Sequence, residues 1–145
     1  MRGMVRSLIL PVLAWMCVIF TPLALASVAP EDAQSVKAVV RAQLDAFAAD
    51  DARLAFSFAA PNIQSLFETP ENFMVMVRRG YPVVYRPASV TFMAPRNNEA
   101  DVVQPVQMRD SKGVSWLVLY SLRRQPDASW RISSCVVLES KALTV

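Results

Sequence analysis

Residues 114–138 read VSWLVLYSLRRQPDASWRISSCVVL, and their spacing decides the fold. Trp116, Val118, Tyr120 and Leu122 alternate with Ser115, Leu117, Leu119 and Ser121, the period of two that an extended strand presents to its two faces. Gln125-Pro126-Asp127 breaks the run with turn-forming residues. In the second run Trp130, Ile132, Ser134, Val136 and Leu138 alternate with Arg131, Ser133, Cys135, Val137 and Glu139. Two such runs joined by a short turn predict an antiparallel hairpin. Apolar residues lie on both faces of the first run, so it belongs at the centre of a sheet covered in part on both sides.

Two further extended segments precede the hairpin, residues 89–94 and 100–109, separated by a polar Arg96-Asn97-Asn98 turn. Asp110-Ser111-Lys112-Gly113 links them to the hairpin, which predicts a four-stranded antiparallel meander. Before residue 89 the period changes. Ala33, Val36, Val40, Leu44 and Phe47 recur every three or four residues behind Pro30, Glu31 and Asp32, which suit the first turn of a helix. Asp50 and Asp51 end the stripe. Either can cap a short second helix carrying Leu54, Ala55 and Phe58, and otherwise they are solvated charges. After Pro61, a turn holds Ile63, Leu66 and Phe67. Thr69-Pro70-Glu71 then starts a third helix running to about Arg79, with Phe73, Met74 and Val77 on its apolar side. Gly80 is expected to close that helix in the left-handed conformation, and two prolines to hold residues 81–87 extended. Helices first and strands afterwards predict an α+β domain, its N-terminal helices packed on one face of a curved four-stranded antiparallel sheet.

The N-terminus carries a different message. Arg2 and Arg6, an apolar run from Leu8 to about Leu25, and Ala24 and Ala26 before Ser27 make residues 1–26 a cleavable signal peptide, with residues 27–145 the single domain. A retained membrane anchor is the rival reading; Pro11, Pro22 and the A-x-A end argue for removal. Cys17 lies within the run and not at the cleavage point, which argues against lipidation. The expected product is exported, periplasmic or secreted, soluble, and meets the membrane only in transit. Removal takes away Arg2 and Arg6 and leaves 13 basic residues against 12 acidic ones, a net charge of +1. Such a chain lacks the basic field that nucleic-acid binding relies on. It also leaves Cys135 as the one cysteine, so no intramolecular disulfide forms and a buried, inert thiol is expected.

The chain contains no histidine, which rules out Ser-His-Asp and Cys-His units and, with a single mature cysteine, ordinary zinc sites. Glycines at positions 3, 80 and 113 alone cannot build a phosphate loop. No metal and no cofactor is predicted. Arg78, Arg79, Tyr81, Tyr85 and Arg86 are concentrated between the last helix and the first strand. Guanidinium forks and phenol hydroxyls make this a candidate site for an anion or polar ligand. The same residues equally suit a helix C-terminal dipole and tyrosines that bury their rings and hydrogen-bond at the tips. Trp116, Tyr120 and Trp130 form a second group on neighbouring strands. They are either cross-strand packing or, with Met74, Met76 and Met93, the wall of an apolar pocket.

The segments VRAQLDAF at 40–47, PENF at 70–73 and YPVVYRP at 81–87, with the closing Trp130-Arg131-Ile132, resemble a bacterial family of exported proteins, domain-of-unknown-function family 4864. The resemblance spans essentially all of residues 27–145. The wider architecture is similar to the nuclear transport factor 2-like superfamily, whose SnoaL-like, ketosteroid isomerase-like and polyketide cyclase-like enzymes stand beside many non-catalytic modules. It implies a cone of helices on the curved sheet. Ala128-Ser129 departs from it where a glycine often closes the final hairpin, which leaves the turn type open. The family has no assigned activity, so the resemblance implies architecture and little chemistry. The expected function is a non-catalytic module binding a small apolar or anionic ligand, or a protein partner, with Arg78, Tyr81, Tyr85, Arg86, Trp116 and Tyr120 as the ligand-binding candidates. The alternative is an isomerase- or cyclase-like enzyme in which Tyr81 or Tyr85 polarises a carbonyl and an unplaced carboxylate moves a proton. A homodimer through the sheet face is the third reading.

Overall fold

The computed structural model describes residues 27–140; the signal segment expected over 1–26 lies outside the described residues, as do residues 141–145. Among the described residues no helix is long and apolar enough to cross a membrane. Helices α1 (Pro30–Ala48), α2 (Ala52–Ser57), α3 (Pro61–Phe67), α4 (Pro70–Gly80) and α5 (Pro82–Tyr85) come first. Strands β1 (Ser89–Phe92), β2 (Arg96–Asn98), β3 (Asp101–Arg109), β4 (Ser115–Arg124) and β5 (Trp130–Glu139) follow. The domain is α+β with an antiparallel sheet, as the change of period predicts.

Proline governs the helix starts. Pro30, Pro61, Pro70 and Pro82 all sit in the first turn of a helix, where the missing N–H has no intrahelical partner to lose. Thr69 Oγ1 accepts from Asn72 N at 3.1 Å to cap α4, and Asp51 Oδ1 accepts from Leu54 N at 2.9 Å to cap α2. Three expectations need correction here. The turn after Pro61 is the helix α3. Gly80 stays helical, since Gly113 is the glycine with positive φ among the described residues. Residues 81–87 are not extended: Pro82 opens the short helix α5, flanked by Tyr81 at φ −134° and ψ 54° and by Arg86 at φ −143° and ψ 74° before Pro87, both outside helical space.

The sheet has five strands, not four. Arg96-Asn97-Asn98, expected as a turn, pairs antiparallel with residues 101–103 of β3, while β1 pairs with residues 106–109 of the same strand. One edge of β3 is thus lined by a strand broken in the middle, and the order is β1 and β2 beside β3, then β4, then β5. The break falls opposite Pro105, which has no N–H to offer a continuous neighbour. Met93 N donates to Pro105 O at 3.0 Å. The buried side chain of Gln104 then closes the gap, its Nε2 donating to Met93 O at 2.6 Å and Pro105 O at 2.9 Å.

At the other edge β5 carries a register shift. Ser121 pairs with Ser134 but Leu122 with Ile132, so Ser133 is the extra residue of a bulge. The alternation expected for β5 therefore holds only as far as Ile132. Beyond it Cys135 and Val137, not Val136 and Leu138, turn to the helices, opposite Tyr120 and Val118. Val136 and Leu138 face outward beside Leu119 and Leu117, each nearly half exposed. The turn into β5 closes with Ala128 at φ 68°, a left-handed position held while Asp127 Oδ1 accepts from Ser129 N at 3.0 Å.

Val36, Val40, Leu44 and Phe47 of α1 pack across the inner face of Val106, Met108, Val118, Tyr120 and Leu122, all buried. Phe73 of α4 joins Phe47, Phe56 and Phe67 at centroid distances of 6.0, 5.4 and 5.7 Å. Replacing Gln104 by Leu keeps the volume but strips Met93 O of its donor; the expected cost is about 1 to 3 kcal/mol in urea unfolding. The exposed neighbour Gln107→Ala serves as the control, expected to change stability by less than about 0.5 kcal/mol.

Candidate functional site

Between the end of α1, helices α3 to α5 and the bulged edge of the sheet lies a cavity of about 240 Å³. Gln43 and Phe47 of α1, Phe73, Met76 and Val77 of α4, and Val84 of α5 form one side. Ile63, Leu66 and Phe67 of α3 form another, and Leu66, 69% exposed, stands at the mouth. The sheet contributes Tyr120, Ile132, Ser134 and Cys135. The space exists because its walls are small where they meet: Ala59, Ser134 and Cys135 sit where larger side chains would fill it.

Backbone bonds hold this corner. Ile132 N donates to Phe58 O, and Ala60 N donates to Ile132 O, both at 2.8 Å, so the α2–α3 connection is stitched to the open edge of β5 beside the bulge. Asn62 Nδ2 adds a 3.0 Å bond to Ser133 O, and Arg131 Nη1 a 3.1 Å bond to Ser57 O.

Tyr120 is the polar residue of consequence in the wall. Its hydroxyl is fully buried and has no nitrogen or oxygen partner among the described residues; its polar neighbour is the Cys135 thiol, a weak hydrogen-bonding group that does not replace an oxygen acceptor. Burial first, and the neighbouring Cys135 second, push its pKa well above the ordinary phenol value, so it stays protonated. Cys135 lies on the edge strand but lines the cavity, and burial pushes its thiol up to about 12. Gln43, by contrast, is satisfied, its Nε2 donating to Ala55 O at 3.1 Å.

The six ligand-binding candidates fall in three places. Tyr81 and Tyr120 line the cavity. Arg78, Tyr85 and Arg86 lie outside its lining and converge on Asp50, whose Oδ1 takes Arg78 Nη2 at 2.9 Å and the Tyr85 hydroxyl, and whose Oδ2 takes Arg86 Nη2 at 3.0 Å. Both guanidinium groups also stand over the Tyr85 ring, at 5.4 and 4.9 Å. The carboxylate thus occupies the place an anion would take between the two arginines. Asp50 holds a left-handed φ of 54° there, and Asp51 beside it is the cap. The Tyr85 hydrogen bond first, then Arg78 and Arg86, draw the Asp50 carboxyl below its ordinary pKa.

Trp116 is at the far end of the sheet, opposite Glu139, and its Nε1 donates to Asp110 Oδ2 at 3.0 Å. Trp130 pairs with Arg124, whose guanidinium lies 5.8 Å from its ring. The expected aromatic group is therefore dispersed along the β4–β5 ladder. Of the methionines, Met76 lines the cavity, Met74 is in the core and Met93 is nearly half exposed. The reading of the residues missed Asp50 as a hub and Gln43 and Ser134 as wall. Gln43 had a signal, a polar residue at helical spacing within the stripe of Val36, Val40 and Phe47. Ser134 had one as well, the parity it shares with Ile132, whereas the bulge hid that Cys135 reaches the same cavity.

A carboxyl whose folded pKa is depressed stabilises the fold above its ordinary value, and that stabilisation is lost as pH falls through the folded value. Asp50→Asn is accordingly expected to flatten the fall in melting temperature below about pH 4, measured by thermal unfolding between pH 7 and 2.5. The raised Cys135 pKa makes a second expectation. A thiol reagent at pH 8 should label the folded protein at least about a hundredfold more slowly than the urea-unfolded chain, since the thiolate is the reacting form.

Neither the curated proteins nor the solved structures compared with this chain include a match. A family model does match it, over residues 29–145, which takes in every element described above. The chain belongs to the family described as a domain of unknown function, DUF4864.

Proposed function

We propose that this protein is a non-catalytic binding module that works outside the cytoplasm, after loss of residues 1–26, and takes a small, mostly apolar molecule into the cavity behind β5. In this reading the helices and curved sheet form the cone of a nuclear transport factor 2-like domain, and the cavity is its interior. One observation carries the proposal: the buried, unpartnered hydroxyl of Tyr120 in the wall of an apolar cavity. Buried polar groups are nearly always paired, and one left open in a cavity wall supports a partner that arrives from outside.

Binding is favoured over the isomerase-like alternative by the chemistry of the walls. Among the described residues lining the cavity none is a carboxylate, and its phenol and thiol at Tyr120 and Cys135 are both driven away from neutrality. General acid–base catalysis wants a group poised near the working pH.

The test uses protein purified after expression of the full chain, whose mass also reports whether the product starts at Ser27. Screening by thermal shift should find apolar compounds that raise the melting temperature, and Ala59→Leu, which builds into the cavity, should abolish the effect. Ligand-free Tyr120→Phe is expected to melt several degrees higher than the parent, because about 1 to 3 kcal/mol of unpaired-hydroxyl cost is removed. If no apolar or charged compound shifts the parent protein, the cavity is not a binding site.

A further inference from the structure

The cavity's dimensions and walls specify the class of molecule that fits. An apolar cavity of about 150 Å³ is known to hold benzene. At about 240 Å³ this one has room for a single ring with a short substituent, or an aliphatic body of equal bulk. Phe47, Phe67 and Phe73 line it, with Phe67 edge-on to Phe73, an arrangement that offers a ring both faces and edges.

Charge is excluded by the same walls. Among the described residues the lining holds no Asp, Glu, Lys or Arg, and Arg78 and Arg86, which flank Tyr81 and Val84 in sequence, are committed to Asp50 outside it. An ion taken into such a space would be buried without a partner, at a cost that the apolar contacts cannot offset.

Polarity is set by Tyr120. Its phenol stays protonated, so it is a donor without an oxygen acceptor, whereas the Gln43 amide already places one N–H on Ala55 O. The hydroxyl itself is covered, so a ligand oxygen reaches it once a small neighbouring side chain of the lining, Ser134 or Cys135, turns by rotation about χ1.

We infer that the ligand is a neutral, compact molecule, one ring or its aliphatic equivalent in size, carrying a single acceptor oxygen of the ketone, aldehyde or ester kind that takes its hydrogen bond from Tyr120. The inference rests on the cavity being the binding site, as proposed above. Acetophenone, ethylbenzene and benzoate each carry a phenyl ring with a short substituent, the second lacking the acceptor oxygen and the third adding charge. Their dissociation constants are measured by ligand-observed NMR or calorimetry on the parent protein, Tyr120→Phe and Ala59→Leu.

The parent is expected to bind acetophenone about three- to tenfold more tightly than ethylbenzene and at least tenfold more tightly than benzoate at pH 7. In Tyr120→Phe the preference for acetophenone over ethylbenzene should vanish while ethylbenzene binds as before. Ala59→Leu should bind none of the three. Benzoate binding as tightly as acetophenone, or a preference for acetophenone that survives in Tyr120→Phe, overturns the ligand class and leaves the cavity site standing. Failure of all three probes, where the thermal-shift screen has found another occupant, likewise overturns the class alone. Failure of the probes and of the screen together removes both.

Discussion

The extra residue at Ser133 is the constraint on which the rest of the molecule depends. A regular β5 would present Ser134, Val136 and Leu138 to the helices, and Tyr120 would face a different neighbour. The bulge instead turns Cys135 and Val137 inward and leaves Ile132 inward as well, on an edge strand whose outer side is open to bond. The α2–α3 connection uses that freedom, with bonds to Ile132 from both Phe58 and Ala60. Position α3 against a bulged strand and the helical layer cannot close flush on the sheet. The cavity is the remainder.

Two polar systems sit in this framework and behave in opposite ways. Around Asp50 each strong donor has an acceptor: Arg78, Tyr85 and Arg86 share one carboxylate on a half-exposed surface. Solvent screens such contacts, and their role is to tie the corner after α1 to helices α4 and α5. At Tyr120 the situation is reversed, with a fully buried hydroxyl and no nitrogen or oxygen partner among the described residues. The satisfied cluster was the one that looked like a ligand site in the linear chain, because three arginines and two tyrosines close together suggest an anion. The structure shows why proximity in sequence misleads. The anion is already there, supplied by a residue 28 positions from Arg78 and 36 from Arg86.

Legibility followed the range of the interaction. The inner face of β4 was readable because every second residue is apolar and the strand is regular. So were the starts of α1 and α4, where a proline and acids, or Thr69 and a proline, act within one turn. The bulge was not readable, because Ser133 and Ser134 are alike and give the alternation no apolar mark to shift. β2 was hidden by composition, since Arg96-Asn97-Asn98 reads as a turn and becomes a strand only by pairing with β3. α5 was hidden by a proline whose meaning depends on whether the residues after it continue a helix, and Val83 and Val84 do so because their side chains find the core. Of the cavity wall, the residues alone pointed to Tyr81, Tyr120 and Met76, but set Tyr81 with the arginines and Tyr120 with Trp116 and Trp130.

An apolar space of this size is itself an energetic statement. Measured against cavities made by truncating core side chains, about 24 cal/mol per Å³, a dry hole of about 240 Å³ corresponds to roughly 6 kcal/mol. That is comparable with the whole stability of an ordinary small domain. The mouth at Leu66 admits water to part of the space and lowers the figure, but it does not serve Tyr120, whose hydroxyl lies behind the accessible surface. One leucine at position 59 or 134 would close much of the gap and one phenylalanine at position 120 would remove the orphan hydroxyl, both single changes. A chain that keeps Ala59, Ser134 and Tyr120 together forgoes stability that lies one substitution away, and the forgone stability becomes available to any molecule that fills the space and accepts the hydrogen bond.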